Sequence, residues 1–100
     1  MELRFSGFDW NEGNSEKNLK KHGVTCAEAE AVCRTPGVVY PDTRHSTEAE
    51  KRYVLFGETG NKQLFVAFTL REQKARIISA RPMSRKERTW YEDQKKQKET

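Results

Sequence analysis

Five consecutive apolar residues, Leu64 to Phe68, constrain the fold of this 100-residue chain more than any other feature. Successive side chains of a strand point to opposite faces, so an uninterrupted apolar run predicts a strand that is covered on both sides. Such a strand belongs in the centre of a sheet. Residues 51–58 and 76–81 predict strands beside it, and Gly60-Asn61 predicts the hairpin turn between the first of these and the central strand.

Local signals predict helices on both sides of this meander of strands. Ser15 could cap a first helix that runs to Lys21 or His22, and Gly23 then suits the left-handed position after the helix. Thr25 and Glu28 have the spacing of a capping box, which predicts a second helix over 27–33. A second capping box, Ser84 with Glu87, begins a C-terminal helix.

The order of these elements predicts an α+β fold in one domain over 1–100. Weak alternation over 5–10 predicts a short edge strand, and 38–40 predicts another. Two early helices can pack on one face of an antiparallel sheet, with the C-terminal helix added at the end. We expect the tail over 94–100 to fray.

Charge is divided unevenly along the chain. Residues 1–50 hold six Lys/Arg and nine Asp/Glu, a net charge of −3, whereas residues 51–100 hold thirteen and six, a net charge of +7. Leu, Ile, Val and Phe together number only 18 in 100, so the core is thin and the surface is highly charged. A basic half favours a polyanionic partner, usually nucleic acid, although a solvated surface gives the same composition.

The sequence argues against a membrane, disulfide or metal protein. No apolar run approaches the roughly 20 residues that cross a bilayer, and the first residues lack a signal-peptide core, so we expect a cytoplasmic protein. Cys26 and Cys33 lie seven positions apart on a predicted helix, about 10 Å, which is too far for a disulfide. His22 and His45 are the only histidines, and we expect no metal and no cofactor.

Short motifs over residues 5–91, in their order and spacing, resemble the BrnT-type toxins of bacterial type II toxin–antitoxin systems. Asn11 is a departure, because the family usually has an acidic residue after the tryptophan. The matching motifs are Phe8-Asp9-Trp10, Asn18-Leu19-Lys20-Lys21-His22-Gly23-Val24, Glu28-Ala29, Glu50-Lys51-Arg52, Phe68-Thr69-Leu70-Arg71, Arg76-Ile77-Ile78-Ser79-Ala80-Arg81, Glu87-Arg88 and Tyr91.

The resemblance implies a small ribonuclease toxin with a RelE-like fold that cleaves RNA and arrests translation. It also implies a ribbon-helix-helix antitoxin, BrnA-like, which neutralises the toxin and binds operator DNA in complex with it. The alternative is a non-catalytic module that binds nucleic acid or a partner, such as a degenerate toxin that acts only in operon autoregulation.

Metal-independent RNA cleavage needs fixed cations at the phosphate, where negative charge builds in the transition state. Arg71, Arg76 and Arg81 are the candidates, because a guanidinium holds phosphate through two parallel donors. Strict alternation puts Arg76 and Arg81 on opposite faces unless the strand bulges. We therefore favour Arg71 with Arg81 and place Arg76 second, while each could equally be a surface arginine.

The remaining candidates supply proton transfer or further contacts. His22 is the natural acid–base group, because histidine titrates near neutrality, and Lys21 beside it could contact phosphate. Both could instead be ordinary residues of a helix end.

Glu50 and Arg52 straddle the start of a strand and point the same way, so Glu50 could accept a proton or orient Arg52. Tyr91 could stack on a base or donate to phosphate, and Arg88 could join the phosphate cluster. The alternatives are a surface ion pair for Glu50 and Arg52, an anchor for the last helix in Tyr91, and a surface pair with Glu92 for Arg88.

Overall fold

The computed structural model of the chain describes residues 5–99, except the side chains of residues 18, 19, 98 and 99. Within these residues, three helices and five strands follow one another in an α+β arrangement, which confirms the predicted class. The elements are β1 (Gly7–Phe8), α1 (Lys17–His22), α2 (Cys26–Arg34), β2 (Val38–Pro41), β3 (Arg52–Thr59), β4 (Lys62–Arg71), β5 (Lys74–Pro82) and α3 (Arg85–Glu99).

The strands form one sheet in the order β1-β5-β4-β3-β2, so the apolar run lies on the central strand, as predicted. A tight turn joins β3 to β4, with Gly60 at a φ of 55° that favours glycine. The prediction of a wholly antiparallel sheet is wrong, because β1 pairs with β5 in parallel. Residues 5–10 yield a strand of only two residues, Gly7–Phe8.

The apolar core lies on the face of the sheet that α2 covers. Ala29, Val32 and Cys33 project from α2 and are buried against the strands. The predicted capping box is present: the Glu28 amide donates to Thr25 Oγ1 at 3.0 Å, and the Thr25 amide donates to Glu28 Oε1 at 2.9 Å. Both cysteines are free, and burial raises the pKa of Cys33 to about 12. The strand residues of this core are Leu55, Leu64, Val66, Phe68, Ala75, Ile77 and Ala80.

Helix α3 covers only one end of the opposite face. Trp90 contacts Phe56 edge-on, with ring centroids 4.9 Å apart, and also meets Tyr40. Further along the helix, the Lys95 ammonium pairs with Glu58 of β3. The end of this face that carries Arg71 therefore has no contact with α3 among the described residues.

A β-bulge in β5 changes which side chains share this open face. Phe68 pairs with Ile77 and Ala67 pairs with Ser79, so Ile78 has no partner on β4. Arg76 lies opposite Thr69, and Arg81 lies opposite Phe65. The bulge is the exception to strict alternation that the sequence analysis allowed, and its extra residue returns Arg81 to the face that carries Arg76.

Helix α3 continues to Glu99, whereas the sequence analysis predicted that the chain frays from Gln94 onwards. Residue 100 lies outside the described residues. None of the helices in residues 5–99 is long and apolar enough to cross a membrane.

Candidate functional site

A polar cavity of about 200 Å³ opens at the end of the sheet that α3 leaves uncovered. It lies between β3, β4 and β5, the turn before α1, and the start of α1 itself. Its lining residues are Gly13, Asn14, Lys17, Glu50, Arg52, Thr69, Arg71, Arg76, Ile77 and Ile78.

The register of the three strands places the arginines of this cavity in a row. Arg52 of β3 lies opposite Thr69 of β4, and Thr69 lies opposite Arg76 of β5. Adjacent strands are about 4.8 Å apart, so Arg52 and Arg76 flank Thr69 at about 10 Å from each other. Arg71 is two residues beyond Thr69 on β4 and points to the same face.

Glu50 orders two of these arginines from the loop before β3. Its Oε1 atom accepts a hydrogen bond from Arg52 Nε at 2.9 Å, and its Oε2 atom lies 3.8 Å from Arg71 Nη2. The Glu50 amide donates to Thr47 Oγ1 at 3.0 Å, which holds the loop in place. About a third of the Glu50 side chain stays exposed, so the carboxylate faces the cavity while it bridges the two cations.

Arg76 is the most enclosed of the three arginines, with 16% of its side chain exposed. Its Nη2 atom donates to Asn11 Oδ1 at 3.1 Å, and its Nη1 atom lies 3.7 Å from Asp9 Oδ1. Nη1 is buried and has no hydrogen-bond partner among the described residues. The departure from the family pattern at Asn11 therefore places a neutral acceptor against this guanidinium.

Two residues that the sequence analysis missed hold the walls of the cavity. Thr69 is 2% exposed, and its hydroxyl donates to the Lys51 carbonyl at 2.7 Å, which ties the loop carrying Glu50 to β4. Asn14 is 5% exposed and donates from Nδ2 to the carbonyls of Asp9 and Ile77, each at 3.1 Å. Local sequence signals for the contacts of Thr69 with Lys51 and of Asn14 with Ile77 are weak, because each joins residues that are distant in the chain.

The charges around the cavity favour an anion. Lys17, Arg52, Arg71 and Arg76 supply four positive charges, against the two carboxylates of Glu50 and Asp9, a net charge of +2. Guanidinium groups fixed on a sheet can stabilise charge that develops on a phosphate without moving. Within residues 5–99 there is no group of three or more His, Cys, Asp or Glu side chains that could hold a metal ion.

The structure does not bring Arg81 to this cavity. Arg71 and Phe65, the partner of Arg81, are six residues apart on β4, which corresponds to about 20 Å. Arg81 instead pairs with Glu87 of α3 at 2.8 Å. Our favoured pair, Arg71 with Arg81, therefore cannot hold a single phosphate, and Arg76 takes the place that we gave to Arg81.

The other predicted site residues also lie outside the cavity. His22 and Arg88 line a separate groove at the opposite end of β4, and Lys21 is exposed on α1. Tyr91 is 2% exposed, and its hydroxyl lies 3.5 Å from Glu58 Oε1. Burial, followed by the nearby Glu58 charge, raises the pKa of Tyr91, so the phenol stays protonated and enclosed.

The fold and the cavity together define a small α+β domain with a cationic recess on its sheet. Residues 10–87 match the family model of the ribonuclease toxin BrnT of type II toxin–antitoxin systems, so the chain belongs to this family. No curated protein and no solved structure gives a significant match. Family membership implies an RNA substrate and an antitoxin partner.

Proposed function

We propose that this protein is a metal-independent endoribonuclease that cleaves RNA in the cavity lined by Arg52, Arg71 and Arg76. The observation that carries the proposal is the row of Arg52, Thr69 and Arg76 across three strands, with Arg71 beside it. Three guanidinium groups on one face can surround a single phosphodiester. Family membership supports the reaction, and loss of cellular RNA arrests translation and growth.

In the proposed reaction, the ribose 2′-oxygen attacks the adjacent phosphorus and the 5′-oxygen leaves. The products are a 2′,3′-cyclic phosphate and a free 5′-hydroxyl. Arg71, with 54% of its side chain exposed, reaches out to the phosphate, while Arg76 supplies an enclosed positive charge beneath it. Both stabilise the pentavalent transition state, where the phosphate oxygens carry most charge.

Proton transfer in this proposal belongs to groups of the cavity. Glu50 is the carboxylate among the described lining residues, so we assign it the 2′-hydroxyl proton. Lys17 is the lining ammonium that can return a proton to the 5′-oxygen. His22 lines a different recess, so the proposal gives it no part in the chemical step.

The proposal extends to the fold type and the partners. The sheet with flanking helices corresponds to a RelE-like toxin, and the antitoxin is a BrnA-like ribbon-helix-helix protein. The complex of the two binds operator DNA, and the toxin acts in the cytoplasm, where its RNA substrate is found.

Cleavage of RNA by the purified chain in the presence of EDTA tests the proposal. Arg71→Ala and Arg52→Ala should each slow cleavage about 100-fold or more, because each removes one fixed donor to the transition state. Arg85→Ala is the matched control, since Arg85 is an exposed arginine on α3. Its cleavage rate should stay within about two-fold of the original protein, and all three variants should keep their melting temperature.

Two results would contradict the proposal. Loss of cleavage in EDTA would show that the reaction needs a metal ion. Tight RNA binding with a steep salt dependence, without RNA cleavage by the purified protein and without growth arrest when the protein is expressed, would identify the non-catalytic binding module instead.

A further inference from the structure

A second recess, a groove of about 340 Å³, lies at the opposite end of β4 from the arginine cavity. It is formed where the corner between α1 and α2 meets the β3–β4 turn and α3. Its lining residues are His22, Val24, Asn61, Lys62, Gln63, Leu64, Pro82 and Arg88.

Among the polar side chains of the groove, Arg88 and His22 have no acid partner in the described residues, whereas Gln63 Nε2 donates to Glu92 Oε1 at 2.6 Å. Arg88 Nη1 donates to the Met83 carbonyl at 3.0 Å, and no carboxylate pairs with Arg88 in the described part of the chain. Over the same residues, His22 makes no ion pair either. Lys62 differs, because its ammonium pairs with Glu28 at 2.6 Å. The groove therefore holds an arginine whose charge is not neutralised and a histidine with its ring nitrogens available.

Helix α1 connects this groove to the arginine cavity. Lys17, its first residue, lines the cavity, and His22, its last residue, lines the groove. Five steps of an α-helix cover about 7.5 Å. Lys20 and Lys21 lie between the two ends and are exposed. Lys20 lies 3.7 Å from Glu16, but both side chains are at least three-quarters exposed, so this pair neutralises little charge.

We propose that the His22–Arg88 groove is a second RNA-binding subsite, which holds the strand about seven nucleotides away from the phosphate that is cleaved. This inference rests on the proposed function, because the cavity is taken as the place of cleavage. Along β4 the groove at Leu64 and the cavity at Arg71 are seven residues or about 24 Å apart, and successive phosphates of a stacked strand rise about 3.4 Å, so about seven nucleotides span the two recesses. The lysines of α1 contact the phosphates between the two recesses. The side-chain amide of Asn61 suits the edge of an unpaired base.

Binding of RNA that cannot be cleaved tests the subsite without reference to activity. We would measure the affinity of 2′-O-methyl RNA of three and of about ten nucleotides by fluorescence anisotropy over a range of salt concentrations. The longer RNA should bind at least 10-fold more tightly. Arg88→Gln should reduce this advantage to about three-fold or less, and it should reduce the salt slope for the longer RNA by about 0.7, the contribution of one phosphate contact.

Lys96→Gln is the matched control, because it also removes one positive charge from an exposed position of α3, but Lys96 does not line the groove. It should leave both the length preference and the salt slope as they are. His22→Gln keeps a hydrogen-bonding side chain but removes the imidazole, and it should weaken binding of the longer RNA more than that of the shorter. Equal affinity for both lengths, or equal effects of Arg88→Gln and Lys96→Gln, would overturn the proposal.

Cleavage assays separate failure of this inference from failure of the proposed function. If the protein binds longer RNA through Arg88 but cleaves none, the subsite stands and the ribonuclease proposal fails. If the protein cleaves RNA but shows no length preference, the ribonuclease proposal stands and the subsite fails. An acidic decapeptide tests a different occupant of the groove. If the peptide displaces the longer RNA, binds more tightly than that RNA, and loses this affinity in Arg88→Gln, the groove belongs to an acidic protein segment and the RNA assignment is overturned.

Discussion

Arg81 and Glu87 face each other through two parallel hydrogen bonds, Nη1 to Oε1 at 2.8 Å and Nη2 to Oε2 at 3.0 Å. The same guanidinium lies over the Phe65 ring, 4.2 Å from its centroid. Glu87 Oε1 also accepts a hydrogen bond from the Ser84 amide at 2.7 Å, which completes the capping box of α3. Arg81 thus fastens the first turn of α3 to β5, and this contact occupies the donors that a phosphate would need.

Arg81→Ala should therefore change stability more than cleavage. Loss of a bidentate, partly exposed pair should lower the free energy of unfolding by about 1–2 kcal/mol. Urea denaturation measures this change, with Arg85→Ala as the control that should stay within about 0.5 kcal/mol. Cleavage by folded Arg81→Ala should remain within a few-fold of the original rate. A 100-fold loss of cleavage with unchanged stability would place Arg81 in the reaction after all.

Glu87 should make stability depend on pH in the acid range. The hydrogen bonds from Arg81, together with those of the Ser84 cap, lower the pKa of Glu87 to about 2 in the folded protein. In the unfolded chain a glutamate titrates near 4.3. Between these values only the unfolded state binds the proton, so the contribution of Glu87 is complete above about pH 5 and is lost as the pH falls towards 2.

The measurement compares the original protein with Glu87→Gln by urea denaturation at several pH values. The difference in unfolding free energy should be about 1–2 kcal/mol at pH 6, after allowance for partial exposure of the pair, and should shrink towards zero near pH 2. Using the difference between the two proteins removes the titration of the other carboxylates. A difference that is constant from pH 6 to pH 2 would contradict this assignment.

Glu50→Gln should separate proton transfer from arginine positioning in the cavity. The amide can still accept a hydrogen bond from Arg52, but it cannot take a proton at neutral pH. We expect kcat to fall about 100-fold with KM changed by less than about three-fold, because general base catalysis contributes about 10²–10⁴-fold. If instead KM rises and kcat is maintained, Glu50 only orders the two arginines.

Tyr91→Phe should leave cleavage unchanged. The phenol is buried, and its hydroxyl makes a long 3.5 Å contact to Glu58, far from the arginine cavity. Tyr91→Ala should instead lower the free energy of unfolding by about 3–5 kcal/mol, because it leaves a space beneath α3. Thermal unfolding and RNA cleavage of both variants check this, and a loss of activity in folded Tyr91→Phe would contradict it.

Gly37→Ala should destabilise the protein because of a contact with backbone. A Cβ atom at Gly37 would lie 2.7 Å from the Phe56 carbonyl oxygen, whereas one at Gly7 would meet no atom of the described residues within 4 Å. We expect Gly37→Ala to lower the free energy of unfolding by about 1–3 kcal/mol. Gly7→Ala is the matched control and should be neutral or slightly stabilising. Equal stability of the two variants would show that β2 moves away from β3 at no cost.

Local signals in the sequence predicted much of the fold. The apolar run at Leu64 to Phe68 identified the central strand, and both capping boxes begin helices as predicted. These features depend on residues within a few positions of each other. The parallel pairing of β1 with β5 could not be predicted this way, because it joins Gly7 to Lys74 across the whole meander.

The candidate site was predicted in part for the same reason. Arg71, Arg52 and Glu50 were selected from their positions at strand ends, and the structure brings them together. The sequence did not indicate that Arg81 lies outside the cavity, because its pairing with Glu87 depends on how α3 packs against the sheet. Lys17 was missed, because its distance from Arg71 in the chain gives no local sign that the two line one cavity.

Ile78 has a consequence for the evolution of this strand. Because Ile78 is the unpaired residue, a chain that lacks it would keep Ile77, Ala80 and Arg81 opposite the same residues of β4 in an unbroken ladder, with Ala80 in the apolar interior and Arg81 on the open face. Related chains can therefore shorten the strand at this position without reversing the orientation of the residues up to Pro82.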